Sequence, residues 1–420
     1  MTTWAFVCVL TACGSPAGAD AGSDTSLAAD TGPSDDADAL DATNDTSDTF
    51  DATDASSASD ASDVSRRTDA VDATDTGTAA PRRRYTPGHY VAISRSQQRA
   101  AGGIPHPGVV SDVGPVSTGV KGLVLRYYWN ELEPTGGTSP DRFVWTRPDN
   151  EIAQARALGV QLVMLIVVKT FDGTNPAPAD LTSYATYFNS PPVPDGYVMW
   201  RWDPTVLARF RQLVDAIGAR YDADPNFAGI ATQETANGSV TDGGYTAARY
   251  LAALEAESDY IAAASPSSRH FAFQNFIAGV TNAMGTSMLA EYAAHIQPNG
   301  AILGGPDLVM SGAILTRVYP NYTLYHNGTS PVPAPGPTFC SVQNAEWSGI
   351  SPADPRSMQS LFDYGRGAIP DDSGGMPLDL DIIIWDWHNT PAAGNGGQQF
   401  DPDATTIIAA HQRFGTYVPP

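Results

Sequence analysis

The sequence predicts an α/β fold, a (β/α)8 TIM barrel preceded by a disordered acidic linker, and three observations carry that expectation. Eight short apolar runs follow one another after Tyr85, helical stretches separate most of them, and the first eighty residues differ in composition from the remainder. Near-continuous apolar runs fit strands buried on both faces, as in a parallel sheet covered by helices. Such a barrel needs roughly 250 residues, which the stretch 85–420 supplies. A doubly wound open sheet is the alternative, but no Gly-rich phosphate turn follows the first run.

Residues 1–13 form a short apolar run closed by Leu10-Thr11-Ala12-Cys13. The run is too short to span a bilayer and reads as a signal peptide. It resembles a bacterial lipobox, which implies acylation of Cys13 and anchorage to the outer membrane, so the cell envelope is the expected location. No Lys or Arg precedes the run, which departs from the lipobox pattern.

Residues 14–84 are expected to be a disordered tether. From Gly14 to Ala80 there are sixteen Asp, no Glu and only Arg66 and Arg67 as basic residues, so this stretch holds −14 of the chain's −23. Such a composition buries too little apolar surface to offset backbone ordering, and its charges repel. The remaining −9 is ordinary for an extracellular domain, and no nucleic-acid partner is expected.

The remaining elements follow in order. His89–Ser94 is the first strand, and the Gly/Pro-rich interval from Gln97 to Lys121 leaves the first helix weak or replaced by loop. Gly122–Trp129 is the second strand, followed by a helix over 149–158. Gln161–Val168 is the third, followed by a helix over 204–221 with Val206, Phe210, Leu213, Val214 and Ile217 on one face. The fourth strand ends in Gln233-Glu234. A helix over 247–264 leads to His270–Asn275, a helix over 286–295 to Ala301–Gly305. Thr338–Glu346 and Leu380–Trp385 are the last two strands, and a helix over 405–414 closes the chain.

The chemistry is expected at the strand ends, where barrel enzymes place it. Glu234 ends the fourth strand and Glu346 the seventh. A carboxylate at the mouth of a buried strand loses solvation unless it is paired or used. Two of them suit glycoside cleavage, in which one carboxyl protonates the leaving oxygen while the other attacks or activates water. Their environments must then hold the two acidities apart.

With these residues in place, the chain resembles the clan-A (β/α)8 glycoside hydrolases, a group that includes families 5 and 42. The likeness covers roughly residues 85–415. Leu125-Arg-Tyr-Tyr-Trp-Asn-Glu-Leu-Glu-Pro-Thr-Gly136, then Phe143-Val-Trp145 and a helix ending at Ala157-Leu-Gly159, is similar to the second βα unit of such enzymes. The resemblance implies a retaining enzyme acting on a β-linked poly- or oligosaccharide. It makes Glu234 the acid/base, Glu346 the nucleophile, Arg126 the cation near the nucleophile, and Trp385 or Trp387 a platform under the sugar. Clan members usually carry Asn before the acid/base, and this chain has Gln233 there.

Asn275, Trp129, Trp347 and His326, with His89 and His388, complete the expected cleft. Each residue has a plainer reading. Glu234 could cap or pair within the scaffold, Glu346 could be a loop carboxylate, Arg126 could be one half of an ion pair, and about half of the aromatics Tyr127, Trp129, Trp200, Trp202, Trp347, Trp385 and Trp387 should be core. Asp307 and Asp386 stand in reserve as the second carboxylate, while Glu131 and Glu133 read as structural. A catalytically silent barrel that binds carbohydrate at the surface is the alternative function. No cofactor or metal is expected, because no HExxH or similar close His spacing occurs; no Gly-x-Ser-x-Gly elbow favours an esterase. Cys340, the one cysteine left after processing, is expected as a buried thiol, and the protein as a monomer.

Overall fold

The structure is a computed structural model, and it describes residues 84–93, 120–190, 193–238, 242–310, 312–342, 358–372, 374–375 and 378–387. The expected signal, most of the expected linker, the expected closing helix, His388, Glu346 and Trp347 lie outside the described residues.

Eight parallel strands close a barrel. In chain order the first three are β1 (Gly88–Ile93), β2 (Val120–Tyr128) and β3 (Gln161–Val167). An antiparallel hairpin of β4 (Ala185–Ser190) and β5 (Val193–Met199) interrupts the series. The barrel resumes with β6 (Phe227–Thr232), β7 (Arg269–Phe273), β8 (Ile302–Gly305), β9 (Thr338–Val342) and β10 (Ile382–Trp387), which pairs back onto β1. All eight expected runs are barrel strands. The hairpin was not expected, since its Tyr-, Asn- and Pro-bearing segments lack a long apolar run.

Among the described residues the α-helices are α1 (Trp129–Leu132), α2 (Thr146–Leu158), α3 (Pro204–Tyr221), α4 (Ala247–Ala264), α5 (Asn282–Ile296), α6 (Ala313–Arg317), α7 (Tyr319–Asn327) and α8 (Met358–Gly365). Local chemistry sets their ends. Asp203 caps α3 by accepting from Thr205 N at 2.8 Å, with Pro204 at the first helical position. Gly159 stops α2 in the left-handed conformation at φ 68°.

Side chains alternate across each barrel strand. Tyr90, Val124, Val163, Phe271, Phe339, Ile382 and Ile384 form a cluster inside the barrel. Their neighbours Val91, Leu123, Leu125, Ala272, Cys340, Ile383 and Trp385 join the larger cluster beneath the helices. Cys340 is a fully buried thiol. In β6, Gly229 marks a bulge: the register with β3 skips there, φ is 150°, and a Cβ would stand 1.8 Å from the Arg269 carbonyl oxygen. Only glycine fits that approach.

Candidate active site

Every residue of β6 is buried, so the strand delivers Gln233 and Glu234 to the C-terminal mouth with little freedom. Glu234 keeps 4 % of its side chain exposed and bonds on both oxygens. Lys169 Nζ donates to Oε1 at 2.8 Å, and Asn275 Nδ2 donates to Oε2 at 2.7 Å. The same Asn275 nitrogen reaches Asp307 Oδ2 at 3.5 Å. Four buried side chains from the ends of β3, β6, β7 and β8 therefore form one polar chain, Lys169–Glu234–Asn275–Asp307. Within a buried site an ion pair of this kind persists only because each charge is matched and bonded.

Lys169 is fixed at its backbone as well as at its ammonium. Gln233 Oε1 accepts from Val168 N at 2.6 Å and Lys169 N at 2.5 Å, while Gln233 Nε2 donates to Lys169 O at 2.9 Å. On its other side Lys169 bridges Val198 of the hairpin. The ammonium also donates to Ala236 O at 2.7 Å and lies 4.8 Å from the Phe171 ring centre. Below this, Arg201 pairs with Glu257 and points Nη1 at the carbonyls of Gln233 and Glu234, each at 3.4 Å. Burial works against the charge on Arg201, yet the Glu257 carboxylate outweighs it and holds the guanidinium above its ordinary value.

A pocket opens over this chain at the top of the barrel interior. Ala92, Val124, Arg126, Leu165, Gln233, Glu234, Phe273, Pro306, Ser341 and Ile384 line it, and its volume is about 30 Å3. That is space for one water molecule, so the pocket is the floor of a site. Arg126 follows the inward alternation of Val124 in β2, which brings its side chain to the same pocket as Glu234.

Sequence reasoning placed Glu234, Arg126 and Asn275 where the structure brings them together. Gln233 lines the same pocket as Glu234 and Arg126, while its amide bonds the end of β3. Other expected residues lie elsewhere. Trp129 is fully buried, edge-on to Phe210, and donates to Glu133 at 2.9 Å, so it belongs to the core. Trp385 faces outward from β10 and donates to His89 Nδ1 at 2.9 Å, because one residue of alternation separates it from inward Ile384. His89 stacks on Phe362 there. His326 pairs with Asp379 at 3.2 Å, ahead of β10 and thus at the opposite end of the barrel from Glu234. Glu346, Trp347 and the side chain of Trp387 lie outside the described residues.

Glu131 and Glu133 are structural, as expected: Glu131 pairs with Arg147, and fully buried Glu133 with Arg142 and Arg209. Lys169 was not anticipated. The signal was present, since Lys169 directly follows a run that is buried to its end, the same feature that singled out Glu234. Among the described residues, no three His, Cys, Asp or Glu side chains gather as a metal site, and no helix is long and apolar enough to cross a membrane.

No family model matches the chain, and no curated protein does. Solved structures do match. GH5_18 from Streptomyces cattleya in complex with Manβ1-4GlcNAc aligns with TM-score 0.52 and 14% identity over 80% of this chain and 82% of that one. Endo-glycoceramidase II from Rhodococcus sp. aligns with TM-score 0.48 and 11% identity over 77% and 78%. At 14% identity the first of these likenesses is one of fold alone, and it agrees with the closed (β/α)8 barrel seen here.

Proposed function

We propose that the protein is a glycoside hydrolase acting on a carbohydrate with retention of configuration. The observation that supports this most is the placement of Glu234. It is a carboxylate at the C-terminal end of the fourth barrel strand, bonded only through side chains, beside a pocket that Arg126 also lines. In this reading a sugar ring lies above the pocket floor. Glu346, four residues after the end of β9 in the sequence, attacks the anomeric carbon as the C–O bond to the leaving group breaks. Glu234 gives its proton to the departing oxygen. It then takes a proton from water as that water displaces Glu346 from the sugar. The two carboxyls would stand about 5–5.5 Å apart. Export and acylation at Cys13 would hold the barrel at the cell envelope.

The test is hydrolysis of plant, algal and bacterial glycans by the wild type and by Glu234→Gln and Glu346→Gln. Loss of an acid/base or nucleophile lowers turnover by about 10²–10⁴-fold. Equal rates in all three proteins would remove both assignments. Asp307 serves as an internal rival for the second carboxylate, because Asn275 already links it to Glu234; an Asp307→Asn protein that loses activity where Glu346→Gln keeps it would move the nucleophile there.

A second reading is a barrel that binds carbohydrate without cleaving it. Lys169 favours it, since a proton donor must carry hydrogen on an oxygen, and Glu234 Oε1 already accepts from an ammonium. Calorimetric binding of an oligosaccharide with no product after long incubation would select this reading.

A further inference from the structure

We infer that a groove beside the candidate active site is a binding subsite for an acidic sugar unit, one carrying a carboxylate, with Arg317 as its anion receptor. The inference rests on the carbohydrate reading above and adds a substrate class to it. The groove measures about 750 Å3, within the roughly 300–1,000 Å3 of small-molecule sites. It lies between the start of α4, the loop from β7 to α5 and the first turns of α5, with Tyr245, Phe276, Val280, Gly285, Thr286 and Arg317 among its lining residues. These loops follow the C-terminal strand ends, the face on which Glu234 stands.

The groove is tied to Glu234 by consecutive residues. Asn275 holds the Glu234 carboxylate, and the next residue, Phe276, forms a groove wall. Thr235, next after Glu234, accepts from Asn275 N at 2.9 Å and donates to Phe276 O at 3.3 Å. A ligand spanning both places would therefore meet one rigid loop rather than two independent ones.

The lining combines an aromatic face, hydroxyl groups and one cation, a mixture suited to a sugar ring with an acid group. Among the described residues Arg317 is the single charged one of the lining. Its guanidinium carbon lies 5.7 Å from the Phe276 ring centre, and its carbonyl accepts from Thr286 Oγ1 at 3.3 Å. Both ends of the residue are thus positioned. Among the described residues no carboxylate lies within ion-pair distance of Arg317, whereas Arg142, Arg147, Arg201 and Arg209 each pair with Glu. A planar, always charged fork over an aromatic ring is well suited to a carboxylate.

Gly285 supplies a way to close the groove without unfolding it. A Cβ there would make only ordinary contact, with Val280 Cγ2 at 3.6 Å, and a helical glycine gains helix propensity on replacement. The experiment is calorimetric titration of the full chain with pectin-derived galacturonate oligomers, alginate-derived uronate oligomers and neutral cello-oligomers, using wild type, Arg317→Gln, Arg317→Lys and Gly285→Leu. The expected result is binding of at least one uronate series, weakened at least tenfold in Arg317→Gln, partly kept in Arg317→Lys, lost in Gly285→Leu, and reduced by salt. Failure of every uronate series to bind, or equal affinity in wild type and Arg317→Gln, would overturn the assignment. Binding is read without turnover, so a protein that binds uronates but hydrolyses none of them keeps the subsite and loses the cleavage reading.

Discussion

At the N-terminal end of the barrel, Asp222 accepts from the Ser267 N–H at 3.0 Å and the Ser268 hydroxyl at 2.6 Å, and Asp381 accepts from the Thr338 N–H at 2.9 Å. At the C-terminal end, Glu234 accepts from an ammonium and a side-chain amide instead. All three carboxylates are buried. Those at the first end fasten the starts of β7 and β9 and cannot change partner without releasing the strand backbone. Glu234 is held by the side chains of Lys169 and Asn275, so a change of partner there would leave its strand in register. Held in this way, the same functional group is a rivet at one end and a movable part at the other. Conserving the barrel and varying only the mouth is how this architecture hosts many reactions.

The largest effect that could break this contrast is Lys169→Met. It strips the cation from a buried carboxylate, and removal of one partner of such a pair costs about 3–5 kcal/mol. Urea unfolding should show that loss, and the double variant Lys169→Met with Glu234→Gln should recover part of it, since the two residues are in direct contact. A Lys169→Met protein as stable as wild type would mean that Glu234 finds other partners and that the polar chain at the mouth is not a unit. Asp222→Ala comes next. It leaves the Ser267 N–H and the Ser268 hydroxyl without their acceptor, at about 1–3 kcal/mol, with turnover unchanged. Lost turnover at wild-type stability would erase the distinction between the two ends.

How far the sequence revealed this arrangement follows from which signals are local. The strands and the long helices α3 and α4 were legible because burial on both faces, or on one stripe, writes a period into the chain. Glu234 was legible as a charge closing an apolar run. What stayed hidden depended on partners far along the chain. Gln233 reads as a sugar-facing amide until Val168 and Lys169 are seen to use it up. Trp385 reads as a platform until alternation within β10 turns it outward. His326 reads as a cleft residue until α7 places it beside Asp379. The hairpin β4–β5 was missed because its stability comes from pairing and the Tyr187–Tyr197 ring contact, 5.2 Å between centres, rather than from a periodic apolar run.

The smallest effect sharpens the comparison by taking burial away. On the outer surface Asp149 accepts from Arg220 Nε at 2.8 Å and from the Tyr221 hydroxyl at 2.8 Å. The Arg220 hydrogen bond is the main cause that draws the Asp149 carboxyl below its ordinary acidity range; partial burial opposes it and Tyr221 adds to it. Because the folded value is depressed, the pair contributes stability above the unfolded value of about 3.9, and that contribution fades as pH falls through the folded value. Both side chains are about two-fifths exposed, 41% and 42%, so solvent screening limits the contribution to about 0.2–1 kcal/mol. Asp149→Asn should therefore lower unfolding stability slightly at pH 7 and match wild type near pH 2. A deficit comparable with that of Lys169→Met, or one that persists in acid, would show that exposure is not what separates this pair from the one at the mouth.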